Sequence, residues 1–289
     1  MSTSLALIGV GHIGGSMAAG LRAAGAVHAI HGYDSDSEAL EQARSLDLID
    51  AVHPTPEAAA KEVELIVLAT PPSAIAEVCR SLEPHIAEHQ VVTDVGSIKK
   101  PVLQEIEQAC GQVPPWFVPG HPISGTEKSG AQHASSGLFR DRRVVLTPVS
   151  GTDSGKVDRI CWMWEQLGAQ VERMDADTHD ALFAGISHLP HVLAYALMEV
   201  LTDTFPAEEL KRYAAGGLLD FTRIASSNPE LWLDICQANR EHLAPVLEKF
   251  QGRIGELIAA LHNDQPDVLR GSFTTAKKTR DTLRPDGHE

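Results

Sequence analysis

The feature that most restricts this chain is a short apolar run that stops in glycines. Leu5-Ala6-Leu7-Ile8-Gly9-Val10 shows no polar alternation. A strand of that kind has both faces covered, as in a parallel sheet. A small-residue helix is expected over 13–24, closed by Gly25. Then come a strand over 29–33 ending at Asp34, a polar helix over 37–46, and a strand over 64–69 stopped by Pro71-Pro72. A helix over 73–82 and a strand over 91–94 follow, with later strands at 116–118, 144–146 and 170–174 and a helix over 157–167. Such alternation predicts βαβ units and a mostly parallel sheet. Beyond Asp175 only helical segments are readable, over 178–201, 207–214, 229–261 and 266–282. The fold class is therefore α/β, with a boundary near 173: an α/β domain over 1–173 and an all-helical one over 174–289. The tail from Arg284 is polar and expected to fray.

A chain of 289 residues is long enough for two such domains. Its net charge of −15 opposes nucleic acid and anionic membrane surfaces as partners. No stretch of 18 apolar residues is evident, so no membrane-spanning helix is expected. Cys79, Cys110, Cys161 and Cys236 form no CxxC motif, and Met1 to Leu5 shows no basic leader. A reducing cytoplasm with free thiols is the expectation.

Gly9-Val10-Gly11-His12-Ile13-Gly14 fits GxGxxG between a strand and a helix, and Asp34 lies 20 residues after Gly14. In this context Gly9 permits the tight turn and Gly11 lets the backbone approach a pyrophosphate. Gly14 lets helix pack on strand. The helix N-terminus offers unpaired N–H groups to phosphate. Asp34 can accept from both ribose hydroxyls of NAD and would repel the extra phosphate of NADP, and Ser35-Asp36-Ser37 supplies no arginine to hold one. NAD is thus expected over NADP. The plain alternatives are packing glycines with no ligand, and Asp34 as a helix N-cap.

Three polar segments follow strands: Ala69-Thr70-Pro71-Pro72, Asp94-Val95-Gly96-Ser97-Ile98-Lys99 and Gly120-His121-Pro122-Ile123-Ser124-Gly125-Thr126-Glu127-Lys128. At the carboxyl ends of parallel strands they should line one crevice. His121 is the sharpest candidate for proton transfer. Proline after it restricts its backbone, and imidazole titrates near neutrality. The alternatives are a surface loop histidine and, for Ser97, the N-cap of the next helix. In the helical half, Ser187-His188-Leu189-Pro190-His191 sits inside a helical pattern that Pro190 should kink. His188 and His191 would share a face. A metal site is rejected, since no carboxylate or cysteine stands at ligand spacing beside them. Arg223, in Asp220-Phe221-Thr222-Arg223, is the fork for a substrate carboxylate or else a surface ion pair.

Taken together, Gly9-x-Gly11-x-x-Gly14, Asp94-x-x-Ser97-x-Lys99, Gly120 to Glu127, Ser187 to His191 and Asp220-Phe221-Thr222-Arg223-Ile224-Ala225 resemble the prephenate dehydrogenase family, with its arogenate and cyclohexadienyl members, over about residues 5–260. The resemblance implies a Rossmann-like NAD-binding domain and a helical substrate and dimerisation domain. It implies NAD-dependent oxidative decarboxylation of prephenate, or of arogenate, in tyrosine biosynthesis. His121 would take the ring hydroxyl's proton and Ser97 would orient that hydroxyl. His191 would hold substrate and nicotinamide, with Ser187 and His188 beside it, and Arg223 would grip a carboxylate. Thr126 and Glu127 would line the pocket, and Lys99 is a weaker member. Gly9, Gly11, His12, Ile13, Gly14, Asp34, Thr70, Pro71 and Ser97 would contact the cofactor. A homodimer is expected, with no regulatory domain after residue 282 and none before residue 5. Other dehydrogenases with a helical second domain, such as pyrroline-carboxylate reductases, match only the first third of the chain.

Overall fold

The computed structural model describes residues 3–124 and 128–283, so Thr126 and Glu127 lie outside the described residues. Six strands form one parallel sheet: β1 (Thr3–Ile8), β2 (Val27–Tyr33), β3 (Ala51–Val52), β4 (Leu65–Leu68), β5 (Val91–Asp94) and β6 (Phe117–Val118). Their order is β3-β2-β1-β4-β5-β6, the doubly wound arrangement in which the chain reverses direction across the sheet between β1 and β4. The central strands are buried throughout, which explains their unbroken apolar runs. Successive residues serve opposite faces. Leu5, Leu7 and Val67 pack with Met17, Leu21 and Trp164, while Ala6, Ile8 and Ile66 pack with Ile75, Leu82 and Phe117. Ile8 pairs with both Tyr33 and Leu68, and Leu68 pairs with Asp94. That register brings the segments after β1, β2, β4 and β5 to one sheet edge.

The second sheet departs from the expected single one. β7 (Gly120–Pro122), β8 (Arg143–Leu146) and β9 (Gln170–Arg173) form a separate sheet, with β7–β8 antiparallel and β8–β9 parallel. His121 therefore lies on a strand, opposite Val145, and not in a loop. β7 escaped notice because three residues ending in proline carry no alternation; an edge strand tolerates the missing donor. The short β3 and the helices Pro56–Ala60 and Lys100–Cys110 complete the first part of the chain.

Beyond β9 the described residues are helical: Ala176–Phe183, Leu189–Thr204, Ala207–Tyr213, Gly216–Thr222, Pro229–Ala238, Arg240–His262 and Pro266–Thr282. The expected helix over 229–261 is two helices, parted at Asn239. Residues up to Arg240 form one compact unit and those from Glu241 another, so the helices between 174 and 240 cluster with the α/β part. Within the continuous stretch Ala176–Thr204, of 29 residues, an 18-residue window has a mean hydropathy of 1.4, long and apolar enough by composition to cross a membrane. The stretch is not an unbroken apolar run, since Ser187, His188, Pro190 and His191 interrupt it. It carries a buried aspartate and two buried histidines hydrogen-bonded to other elements. Pro190 does not break it with a simple kink. A π turn, Ala184–His188, precedes Pro190, which falls in the first turn of the helix Leu189–Thr204. There its missing N–H costs little, and the widened turn absorbs the change in register.

Candidate active site

The glycine turn is shaped by close approach. Gly9 has φ +98°, and a Cβ on it would stand 2.4 Å from the carbonyl oxygen of Ala69. A Cβ on Gly14 would stand 2.3 Å from the carbonyl oxygen of Gly9. At Gly11 nothing lies within 4 Å of that position, so the backbone is open to a ligand. The helix His12–Ala23 begins here without a side-chain cap, leaving its first N–H groups for an anion. Asp34 Oδ2 accepts from Val10 N at 2.9 Å and Oδ1 from Asp36 N at 3.0 Å, which ties the carboxylate to the turn. The N-cap of the next helix is Asp36, not Asp34. Pro71 is exposed, while Thr70 Oγ1, after β4, is buried with no partner among the described residues. Open backbone, an anchored carboxylate and an orphaned hydroxyl on one edge fit a dinucleotide. His12, nearly buried, packs its Nδ1 3.1 Å from Lys128 O, and Ile13 packs on the core.

At the next strand ends a buried ionic cluster takes over. Lys99 and Asp94 are fully buried and ion-paired. Lys99 Nζ also donates to Gly120 O at 2.7 Å, and Asp94 accepts from Gly120 N at 3.0 Å and Gly96 N at 2.9 Å. Both polar groups of Gly120 are thus clamped, and the direction of β7 with them. Ser97 is half-buried in the bend before the helix Lys100–Cys110, but it is not that helix's N-cap. Asp180, from the helix Ala176–Phe183, accepts Lys99 N at 2.9 Å and Lys100 N at 2.8 Å and does the capping from a distance.

His121 is 8% exposed. Its Nδ1 lies 2.8 Å from His179 Nε2, and His179 Nδ1 lies 2.7 Å from Asp180 Oδ1. Phe183 meets both rings, centroid to centroid at 4.8 and 4.5 Å. Burial, then the neighbouring His179 and the Lys99 charge, hold the His121 imidazole well below its ordinary pKa. It is neutral and able to accept a proton. His188 is fully buried, and burial pulls its pKa to about 4. Asn239 Nδ2 bridges Asp180 O at 2.8 Å and His188 Nδ1 at 3.0 Å. His191 stacks on Trp232 at 3.5 Å between centroids, its Nδ1 2.9 Å from Ser187 O. His188 meets the same indole edge-on at 6.0 Å, so the two histidines do share a face. Arg223 is exposed and opens a short 3₁₀ turn. It lines a cavity of about 770 Å³ with Tyr195, Met198 and Thr222; His121 is not in that wall. The guanidinium's charge nevertheless reaches His191, where it adds to burial in lowering the imidazole's pKa.

His179, Asp180, Asn239 and Trp232 went unnoticed in the sequence. A His-Asp pair in a first helical turn, a lone asparagine and a lone tryptophan carry no local signal.

Residues 17–173 match the family model for the prephenate dehydrogenase nucleotide-binding domain, and 175–275 match that for the prephenate dehydrogenase dimerization domain. Cyclohexadienyl dehydrogenase of Zymomonas mobilis is 33% identical over 284 residues, covering 98% of this chain and 96% of the relative. The crystal structure of prephenate dehydrogenase from A. aeolicus in complex with hydroxyphenyl propionate and NAD+ superposes with a TM-score of 0.89 at 33% identity, covering 98% of this chain and 99% of the other. Synechocystis arogenate dehydrogenase superposes with a TM-score of 0.77 at 27% identity, covering 97% and 100%. The chain belongs to the prephenate dehydrogenase family.

Proposed function

We propose that this chain catalyses the NAD-dependent oxidative decarboxylation of prephenate to 4-hydroxyphenylpyruvate in tyrosine biosynthesis, with His121 as the base. The family membership supports the reaction class. The observation that carries the assignment of the base is a neutral imidazole on a clamped strand, one nitrogen held by His179, beside the sheet edge that bears the glycine turn. NAD, when bound, accepts the hydride released from the ring carbon that bears the hydroxyl. The chain's own residues do the rest. Gly9, Gly11 and Gly14 let the pyrophosphate approach, Asp34 receives the ribose hydroxyls, and Thr70 offers its unpaired hydroxyl. His12, Ile13 and Pro71 flank the same edge. Asp34, with no arginine in the next three residues, favours NAD over NADP. His121 accepts the hydroxyl proton as carbonyl character develops, with Ser97 orienting that hydroxyl. Arg223 grips a substrate carboxylate, and His191, Ser187 and His188 shape the pocket from the π turn. Thr126 and Glu127 are assigned to the same pocket by family resemblance alone.

Residues 1–173 serve as the nucleotide domain and 174–289 as the substrate and dimerisation domain. Exposed Val200, Leu219 and Phe221 in the first compact unit, and Ile254, Ile258 and Leu261 in the second, are apolar surface for a homodimer. The protein works in the cytoplasm. Purified protein given NAD and either prephenate or arogenate should form NADH, faster with prephenate. No NADH from either substrate overturns the assignment, and faster turnover of arogenate reverses the preference. Light scattering on a sizing column should give the mass of two chains.

A further inference from the structure

An imidazole accepts a proton only at a nitrogen that carries none, so a base needs a defined tautomer. The chain Asp180–His179–His121 supplies one. The Asp180 carboxylate already accepts the N–H groups of Lys99 and Lys100 at 2.9 and 2.8 Å. An ionised carboxylate has no hydrogen to give. His179 Nδ1, 2.7 Å from Asp180 Oδ1, is therefore the donor and carries that ring's hydrogen. Neutral His179 then has only a lone pair at Nε2. His121 Nδ1, 2.8 Å away, must donate to it. The hydrogen of His121 is thereby confined to Nδ1, and Nε2 is bare.

We propose that His179 and Asp180 act as positioning residues that lock His121 in the Nδ1–H tautomer, leaving Nε2 to take the substrate's hydroxyl proton and spreading the positive charge His121 then acquires. The proposal rests on His121 being the base. It requires a neutral His179, because a doubly protonated ring would donate to His121 Nδ1 and send that ring's hydrogen to Nε2. Burial is the largest influence keeping His179 neutral, and the Lys99 ammonium adds to it against the pull of Asp180 and Asp94. The same ammonium and His188 face His121. Phe183 closes the apolar side of both rings. The protons balance. His121 Nε2 takes the hydroxyl proton as hydride leaves the same carbon. The ring carboxylate departs as carbon dioxide, and the electron pair of its bond passes through the ring to the new carbonyl oxygen. That oxygen recovers the proton from His121, and the relay is reset with no net proton released.

Nitrogen-15 spectra of the full-length protein with labelled histidine test this without substrate. The His121 ring, assigned by its disappearance in His121→Asn, should show a protonated Nδ1 and a bare Nε2. In His179→Leu the hydrogen should redistribute toward Nε2, and kcat should fall about ten- to a hundredfold with KM for NAD unchanged. His179→Gln, whose amide oxygen can accept from Nδ1–H, should recover part of both. A hydrogen on Nε2 in the wild-type spectrum overturns the proposal even if no His179 variant folds. Wild-type kcat in His179→Leu overturns it as well. If His121→Asn is inactive while Nε2 carries the hydrogen, only the tautomer lock has failed; full activity of His121→Asn removes the base and the lock's purpose together.

Discussion

His121 and Arg223 sit in opposite surroundings. The imidazole is 8% exposed, on a strand whose first residue is held by a buried ion pair, with a second histidine on its ring nitrogen. The guanidinium is exposed, at the start of a four-residue 3₁₀ turn on the wall of a wide cavity. In the dry setting each hydrogen bond and charge acts at full strength, and a misplaced proton has no solvent to correct it. On the open wall, charge is screened and a planar fork works through geometry and affinity. Proton handling therefore belongs to the preorganised side, and recognition of an anionic substrate to the adaptable one. The first should govern turnover and the second should govern binding.

Four measurements would break or sharpen that contrast. The largest effect is expected for His121→Asn: kcat should fall by roughly 10²–10⁴ with KM for NAD nearly constant. A loss confined to substrate KM would move His121 to the binding side. Next, Lys99→Met should strand the buried Asp94 carboxylate and lower the unfolding free energy by about 3–5 kcal/mol in denaturant titration. A stability equal to wild type would mean that the clamp on Gly120 is dispensable. Arg223→Ala should then raise substrate KM about 10- to 100-fold, the worth of one charge-assisted contact, and leave KM for NAD unchanged. Equal effects on both constants would make Arg223 structural.

The smallest effect is in pH dependence. His188 titrates at about 4 when folded against an ordinary 6.5, so protonation favours the unfolded chain. Its contribution is complete above about pH 6.5 and fades as pH falls toward about 4. By pH ~5.5 the loss should be about 1 kcal/mol in thermal melts, and His188→Leu should flatten that slope. A wild-type melting temperature constant across the window would contradict a neutral buried ring.

Legibility followed the range of the interactions. β1, β4 and β5 were readable because a strand covered on both faces must be apolar along its length, and the helix over 266–282 because its ends are marked by Pro266 and a polar tail. The glycine turn was readable because close backbone approach forbids a side chain at Gly9 and Gly14. His121, Ser97, His188 and His191 stand out in the sequence by residue type and motif, but their settings are not legible there. Capping, the plain alternative for Ser97 and Asp34, falls instead to Asp180 and Asp36. The segment around His121 reads as a loop, yet β8 recruits it into a strand. Pro190 was expected to kink a helix that instead takes a π turn ahead of it.

From its residues alone the chain determined where strands and helices alternate, which turn would face a dinucleotide, and which imidazole and guanidinium were chemically suited to the reaction. Those properties depend on local sterics and on periodic burial, both written in neighbouring residues. Only the tertiary structure decided that a helix starting at Ala176 would lend Asp180 to cap the helix that starts at Lys100, and His179 to hold His121. Hydrogen bonds spanning 58 and 81 residues leave no local trace, because each partner alone is an ordinary polar side chain until the fold brings the other to it.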